Sequence, residues 1–271
     1  MIAGVLPADT VTQLSERHAG QVVVAGSHGG LIAAAYAAQA RVRAIVLNDA
    51  GRGRDGAGVA GLAALDHLGI AACAVAHTSA RIGDAADAIA HGVVSVCNGA
   101  AVAAGVRAGM RCVDAAARLR MAPWREGALP FPAEARVLLL PANGGLPAVW
   151  GLDSIGLVAA TDADAILVIG SHGALHGGDP ASALPVAAHG SFFHDAGRGK
   201  DDAGASRLPA LAARGIAAAV VDFRSARIGD ARSLWETGIV SAVNAPGLRC
   251  GLRAGDAVRA AATSLRQRRP A

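Results

Sequence analysis

Ser79-Ala80-Arg81-Ile82-Gly83-Asp84-Ala85 returns letter for letter as Ser225 to Ala231, and this recurrence decides how the rest of the chain is read. Asp49-Ala-Gly-Arg-Gly53 returns as Asp195 to Gly199, and Gly26-Ser-His-Gly29 returns as Gly170 to Gly173. The first two blocks are displaced by 146 positions and the third by 144, so a small insertion separates them. Two long copies are too few for a solenoid, whose repeats are also much shorter. The pattern is that of a duplicated domain, and a position kept in both copies stands out against neighbours that have changed.

Around the blocks, short apolar runs stop at glycine-rich polar loops and restart as Ala/Leu-rich stretches. In the first half the runs are Gln21 to Ala25, Ala44 to Leu47, Ile70 to Val75 and Val93 to Val96. Their partners are Ala165 to Ile169, Ser191 to Phe193, Ile216 to Val221 and Ile239 to Val243. Continuous apolar strands imply burial on both faces, and strands alternating with helices imply parallel βαβ units. Helices are expected over residues 56–68 and 203–213, ended by Gly69 and Gly215 as left-handed caps. The fold class expected is therefore α/β: two tandem Rossmann-like, parallel-sheet repeats related by internal duplication and a pseudo-two-fold axis, packed like a homodimer fused into one chain. Residues 1–120 form the first repeat, 121–135 a linker carrying Pro123, Pro130 and Pro132, and 136–271 the second repeat. Arg136 to Leu140 reads as the opening strand of the second half, and Pro141 to Pro147 as an insertion or special loop.

At 271 residues and 53% hydrophobic content the chain can bury a sizeable core in two units of normal domain size. No apolar stretch approaches the roughly 20 residues that span a bilayer. The N-terminus lacks a basic segment followed by an apolar one, so a cytoplasmic location without a membrane partner is expected. Cys73, Cys97, Cys112 and Cys250 form no C-x-x-C pair, fit no zinc spacing and read as small apolar residues in a reducing compartment. The basic run Arg266-Gln-Arg-Arg269 reads as a C-terminal tail, and with no base-reading pattern beside it no nucleic-acid partner is expected. A homo-oligomer stays open.

All three blocks follow apolar strands, which places them at the carboxyl ends where ligands bind in parallel α/β sheets. His28 and His172 alone among nine histidines are kept in both halves, as acid/base, donor or loop anchor. Asp49 and Asp195 could orient those imidazoles or close Asx-type turns. Ser79 and Ser225 are candidate nucleophiles beside a structural role near a helix start. Arg81 and Arg227 offer a planar fork to a carboxylate or phosphate, in competition with Asp84 and Asp230, which read as helix caps. Ser27, Ser171, Gly29 and Gly173 would line the substrate with hydroxyls and backbone N–H groups, and His194 and Asp222 add polar groups in the second half.

Two cofactor readings remain as alternatives. Gly51-Arg-Gly53-Arg-Asp-Gly56 matches a dinucleotide fingerprint, yet its twin ends in Asp202, and the following strand ends at Ala76-His77 in place of an acidic residue. A divalent metal could be held by His28 with Asp49, or by His172 with His194, Asp195 and Asp222, although no metal-binding spacing supports either set. The function expected is a hydrolase or lyase acting on a polar or anionic metabolite. The alternative is a non-catalytic nucleotide- or carboxylate-binding protein using the same loops. One principal site is expected, with the second half favoured and both halves contributing across their interface.

Overall fold

Runs of Val, Ile and Ala between glycine turns pair as strands in the computed structural model, which describes residues 4–268. The first N-terminal residues and Arg269 of the basic tail lie outside the described residues. A five-stranded sheet holds β1 (Val5–Ala8), β2 (Val22–His28), β3 (Ala44–Asn48), β4 (Ala71–Val75) and β5 (Val94–Cys97) in that spatial order. A six-stranded sheet holds β6 (Arg136–Leu140), β7 (Val149–Leu152), β8 (Ile166–His172), β9 (Gly190–His194), β10 (Ala217–Val221) and β11 (Val240–Val243), again in chain order.

The chain is α/β, but its sheets are mixed where purely parallel ones were expected. Strands β1 to β4 and β7 to β10 run parallel, while β5, β6 and β11 are antiparallel edges. An apolar run reports burial and carries no information on strand direction, so the reading could not separate the two. In both sheets successive strands are neighbours with no reversal of order, so neither sheet has the internal crevice that a reversal opens. Arg136–Leu140 is an edge strand antiparallel to β7, and β7 pairs with β8 as β1 pairs with β2. Both β1 and β7 escaped the reading because they are four residues long and interrupted by Pro7 or Gly151.

Alternation along the strands builds the layers. Val22, Val24 and Val46 face α3 (Ala85–His91) and α5 (Cys112–Leu119), while Val23, Ile45 and Leu47 face α1 (Leu31–Gln39) and α2 (Gly61–His67). α4 (Gly99–Ala103) closes the edge beside β4. In the second half α6 (Arg207–Ala213) covers one face, and α7 (Ala231–Thr237) with α9 (Val258–Leu265) covers the other, with α8 (Ala245–Arg249) beside β10. Helices α2 and α6 start later than expected because Asp55 and Gly56, like Asp201 and Asp202, take left-handed backbone.

One element differs between the halves. Between β8 and β9 the described residues form only a 3-10 turn at Pro180–Ser182 where α1 stands in the first half. His176-Gly-Gly-Asp-Pro180 replaces Ile32-Ala-Ala-Ala-Tyr36, and Gly177 and Gly178 sit at φ 57° and 75°. Glycine and proline here forbid the helix that an alanine run favours. No helix among the described residues is long and apolar enough to cross a membrane.

Candidate functional site

The carboxyl ends of β3 and β4 abut those of β9 and β10, and two of the repeated blocks build that junction. Arg54 N–H donates to the Phe223 carbonyl (2.9 Å), and Lys200 N–H, its counterpart, donates to the His77 carbonyl (2.8 Å). Arg81 pairs with Asp201 and Arg227 with Asp55, both at 3.0 Å. Gly51 at φ 69° lies on the Phe223 ring, so a Cβ there would come within 2.8 Å of the ring; Gly197 at φ 76° would meet His77 at 2.8 Å. Ala50, Ile82, Ala196 and Ile228 close the same junction as one apolar cluster. Each of these contacts is made twice with the halves exchanged, so each block is used on both sides, while the side chains of Arg54 and Lys200 reach different partners, the Ser225 carbonyl and Asp87.

These contacts give several candidate residues roles other than the expected ones. Ser79 Oγ donates to the Ala76 carbonyl (2.8 Å) and accepts from Val93 N–H (2.9 Å), and Ser225 does the same with Asp222 and Ile239. Their hydroxyls tie strand ends together and touch no base. Asp49 accepts from the N–H groups of Gly51 and His77, from His77 Nδ1–H and from Ser95 Oγ, which together hold its carboxyl below the usual range against the opposing effect of burial. Asp195 accepts from Gly197, Phe223 and Ser241, and its burial raises the carboxyl. Neither aspartate orients His28 or His172. Asp84 and Asp230 cap α3 and α7 and also bind Arg81 and Arg227, so those guanidinium forks already hold carboxylates. Gly29 N–H and Gly173 N–H donate to the carbonyls of Asn48 and His194 and are not free for a ligand. Asp222 pairs with Arg224 at 2.6 Å.

His194 is a structural imidazole. Its Nδ1 accepts from Ala196 N–H (3.0 Å) and its Nε2–H donates to the Ala226 carbonyl (3.1 Å). Asn48 makes the same two bonds with Oδ1 and Nδ2, to Ala50 and Ala80. Burial lowers the His194 pKa to about 4, which keeps the ring in the neutral form this bonding requires. Among the described residues no group of three or more His, Cys, Asp or Glu is placed to hold a metal ion, so His172, His194, Asp195 and Asp222 do not converge as a ligand set. In the fingerprint loop, Gly51 N–H and Arg52 N–H bond to Asp49 and Arg54 N–H to Phe223, so these three groups are already engaged within the protein.

The third block has a different position. Ser27 and His28 end β2, Ser171 and His172 end β8, and all four line one cavity of about 490 Å³ between the halves. Thr10 and Ser154, another pair displaced by 144 positions, line it too. Gly30 N–H donates to His28 Nδ1 (3.2 Å) and Ala174 N–H to His172 Nδ1 (3.3 Å), so each neutral ring carries its proton on Nε2. Among the described residues neither Nε2 has a protein partner. Ser27 Oγ accepts from Val11 N–H (3.0 Å) and Ser171 Oγ from Ile155 N–H (2.9 Å), and both hydroxyl hydrogens stay available. Burial lowers His28 to about 4, and burial with the charges of His176 and Arg207 holds His172 well below the ordinary imidazole range. At neutral pH both rings are therefore uncharged donors.

Three further residues shape the cavity. His176 and Ser182 line it from the segment that replaces α1, and Glu134 reaches it from the linker. The hydroxyls at Thr10 and Ser154 were detectable from the 144-residue displacement. His176 was not, because its counterpart is Ile32 and the helix-breaking glycines beside it gave no sign of a wall. Compared with protein-family models, with curated proteins and with solved structures, the chain matches none, and its geometry alone carries the functional reading.

Proposed function

We propose that the chain is a small-molecule enzyme of the hydrolase or lyase class, acting on a polar or anionic metabolite in the cavity between the halves. The observation that supports this is the pairing of His28 and His172, each neutral with a partnerless Nε2–H, on one cavity with the Ser27 and Ser171 hydroxyls. Neutral N–H and O–H donors converging on one cavity polarise a carbonyl and hold the oxyanion that develops from it. Glu134 lines the same space and makes no hydrogen bond among the described residues, so it is the group suited to take a proton from substrate or water. In this reading the histidines are electrophilic donors, and the acid/base role expected of them passes to the carboxylate.

We also read the two halves as duplicate α/β units around a pseudo-two-fold axis, with residues 121–135 joining them. The reciprocal contacts at the junction support that reading. A second function is favoured by one observation. His28 and His176 both lie at about 4, so no imidazole on the cavity titrates near neutrality, as a non-catalytic carboxylate-binding protein would also require. Incubating the protein with a small-metabolite extract and following it by mass spectrometry separates the two. The enzyme consumes a metabolite, releases a product and loses both effects in His172→Gln. Thermal stabilisation by the extract with an unchanged metabolite pool would leave only the binding function.

A further inference from the structure

The two sides of the cavity differ in charge, and the difference falls where the copies disagree. Arg207 stands where the first half has Gly61, and His176 where it has Ile32. Arg207 is fully buried. Its Nη1–H donates to the carbonyls of Ser182 and Ala183, and its guanidinium lies 5.4 Å from the Phe193 ring centre. Its Nε and Nη2 have no partner, and among the described residues it makes no ion pair. A buried cation without a counter-ion is strongly destabilising, because its hydration has been removed and no opposite charge replaces it.

That charge lies directly behind the cavity wall formed by Ser182, beside His172 and His176, whose protonation it opposes. His172 is only 6% exposed, and its partnerless Nε2–H belongs to the same wall. The nearby carboxylate, Asp9, accepts from Ala85 N–H (2.9 Å) and lies across Gly177, without pairing to Arg207. On the other side α1 presents Ile32, Ala33 and Tyr36. Among the described residues the cavity lining holds no Arg or Lys, so Arg207 behind the Ser182 wall is the cation available to an anion there; Glu134 and Asp9 already place carboxylates nearby, and a dianion would have no second cation to meet.

We propose that the cavity takes a small monocarboxylate, its carboxylate against His172 and His176 in front of Arg207 and its short apolar body along Ile32, Ala33 and Tyr36. The proposal rests on the cavity being the functional site. Its test is calorimetric titration of the full chain at pH 7.5 with hexanoate, acetate, hexanamide and inorganic phosphate, on wild type, His176→Ile, Arg207→Met and His172→Gln. Hexanoate is expected to bind one per chain, with acetate, hexanamide and phosphate each about tenfold weaker or worse. His176→Ile and Arg207→Met should each weaken hexanoate about tenfold and leave hexanamide unchanged, while His172→Gln weakens both. Arg207→Met risks the fold, whereas His176→Ile installs the residue found at the equivalent position and keeps the test decisive. Equal binding of hexanoate and hexanamide, tighter binding of phosphate, or an unchanged His176→Ile would overturn the monocarboxylate assignment. No hexanoate binding in a protein that still consumes a metabolite would overturn it as well, while leaving the enzyme reading intact.

Discussion

Gly51→Ala should destabilise the protein much more than Gly56→Ala, although both glycines have nearly the same backbone. Gly51 sits at φ 69° and Gly56 at φ 68°, so each alanine meets the left-handed penalty of about 1–2 kcal/mol. Beyond that the sites differ. A Cβ at Gly51 would lie 2.8 and 2.9 Å from Phe223 Cδ2 and Cε2, whereas one at Gly56 meets nothing within 4 Å. Overpacking of this kind adds about 1–3 kcal/mol, and the ring's partial exposure lets it yield, which favours the lower end. Urea unfolding of the two variants should therefore differ by about 1–2 kcal/mol at constant slope, or by several degrees in melting temperature. Adding Phe223→Ala to each should abolish that difference, since the cycle removes the clash alone. Equal losses in the two single variants would refute the packing of the glycine loop on the opposite half, and with it the explanation of why that block occurs twice.

Other outcomes follow from the twin positions. His194→Asn should be tolerated within about 1 kcal/mol because Asn48 already makes both bonds, whereas His194→Ala orphans Ala196 N–H and the Ala226 carbonyl and should cost about 2–4 kcal/mol in urea unfolding. Ser79→Ala and Ser225→Ala should each lower stability by about 1–2 kcal/mol and leave hexanoate affinity unchanged; a loss of binding would restore a ligand role to those hydroxyls. Asp201→Asn removes the charge from a half-exposed pair with Arg81 while keeping a side chain that tolerates the left-handed backbone at φ 54°, and should cost less than about 1 kcal/mol, diminishing with added salt. Stability should fall as pH drops from 6.5 towards 4, since the unfolded chain protonates its histidines near 6.5 while folded His28 and His194 resist until about 4. His194→Asn should flatten that decline by about 2 kcal/mol between pH 7.5 and 5, read from urea midpoints. An identical decline in the variant would show that His194 is not held neutral by the fold.

Strand and helix positions were legible where burial and local propensity agree. The runs at Gln21, Ala44, Ile70 and their counterparts became β2, β3, β4 and β8, β9, β10. Direction was not legible, because Val94–Cys97 is as apolar whether it runs with β4 or against it. The candidate site was half legible. Ser27, His28, Ser171 and His172 do line a cavity, but the equally well repeated Asp49, Ser79 and Arg81 serve turns and the junction. A repeat records that a residue is needed in both copies, and a reciprocal interface needs its residues twice just as a pair of sites would. Arg207 and His176 could not be found this way, since they differ from the residues at the equivalent positions, Gly61 and Ile32.

The claim most exposed to a single measurement is that both halves supply one shared site. Histidine-selective nitrogen NMR, with resonances assigned through His28→Gln and His172→Gln, can follow both Nε2–H groups during a hexanoate titration at pH 7.5. The account predicts neutral rings protonated at Nε2 in the free protein, and signals of His28 and His172 that move along one saturation curve ending at one ligand per chain, while His194 stays still. Movement of only one of the two rings, two unrelated curves, or no movement at all would contradict it.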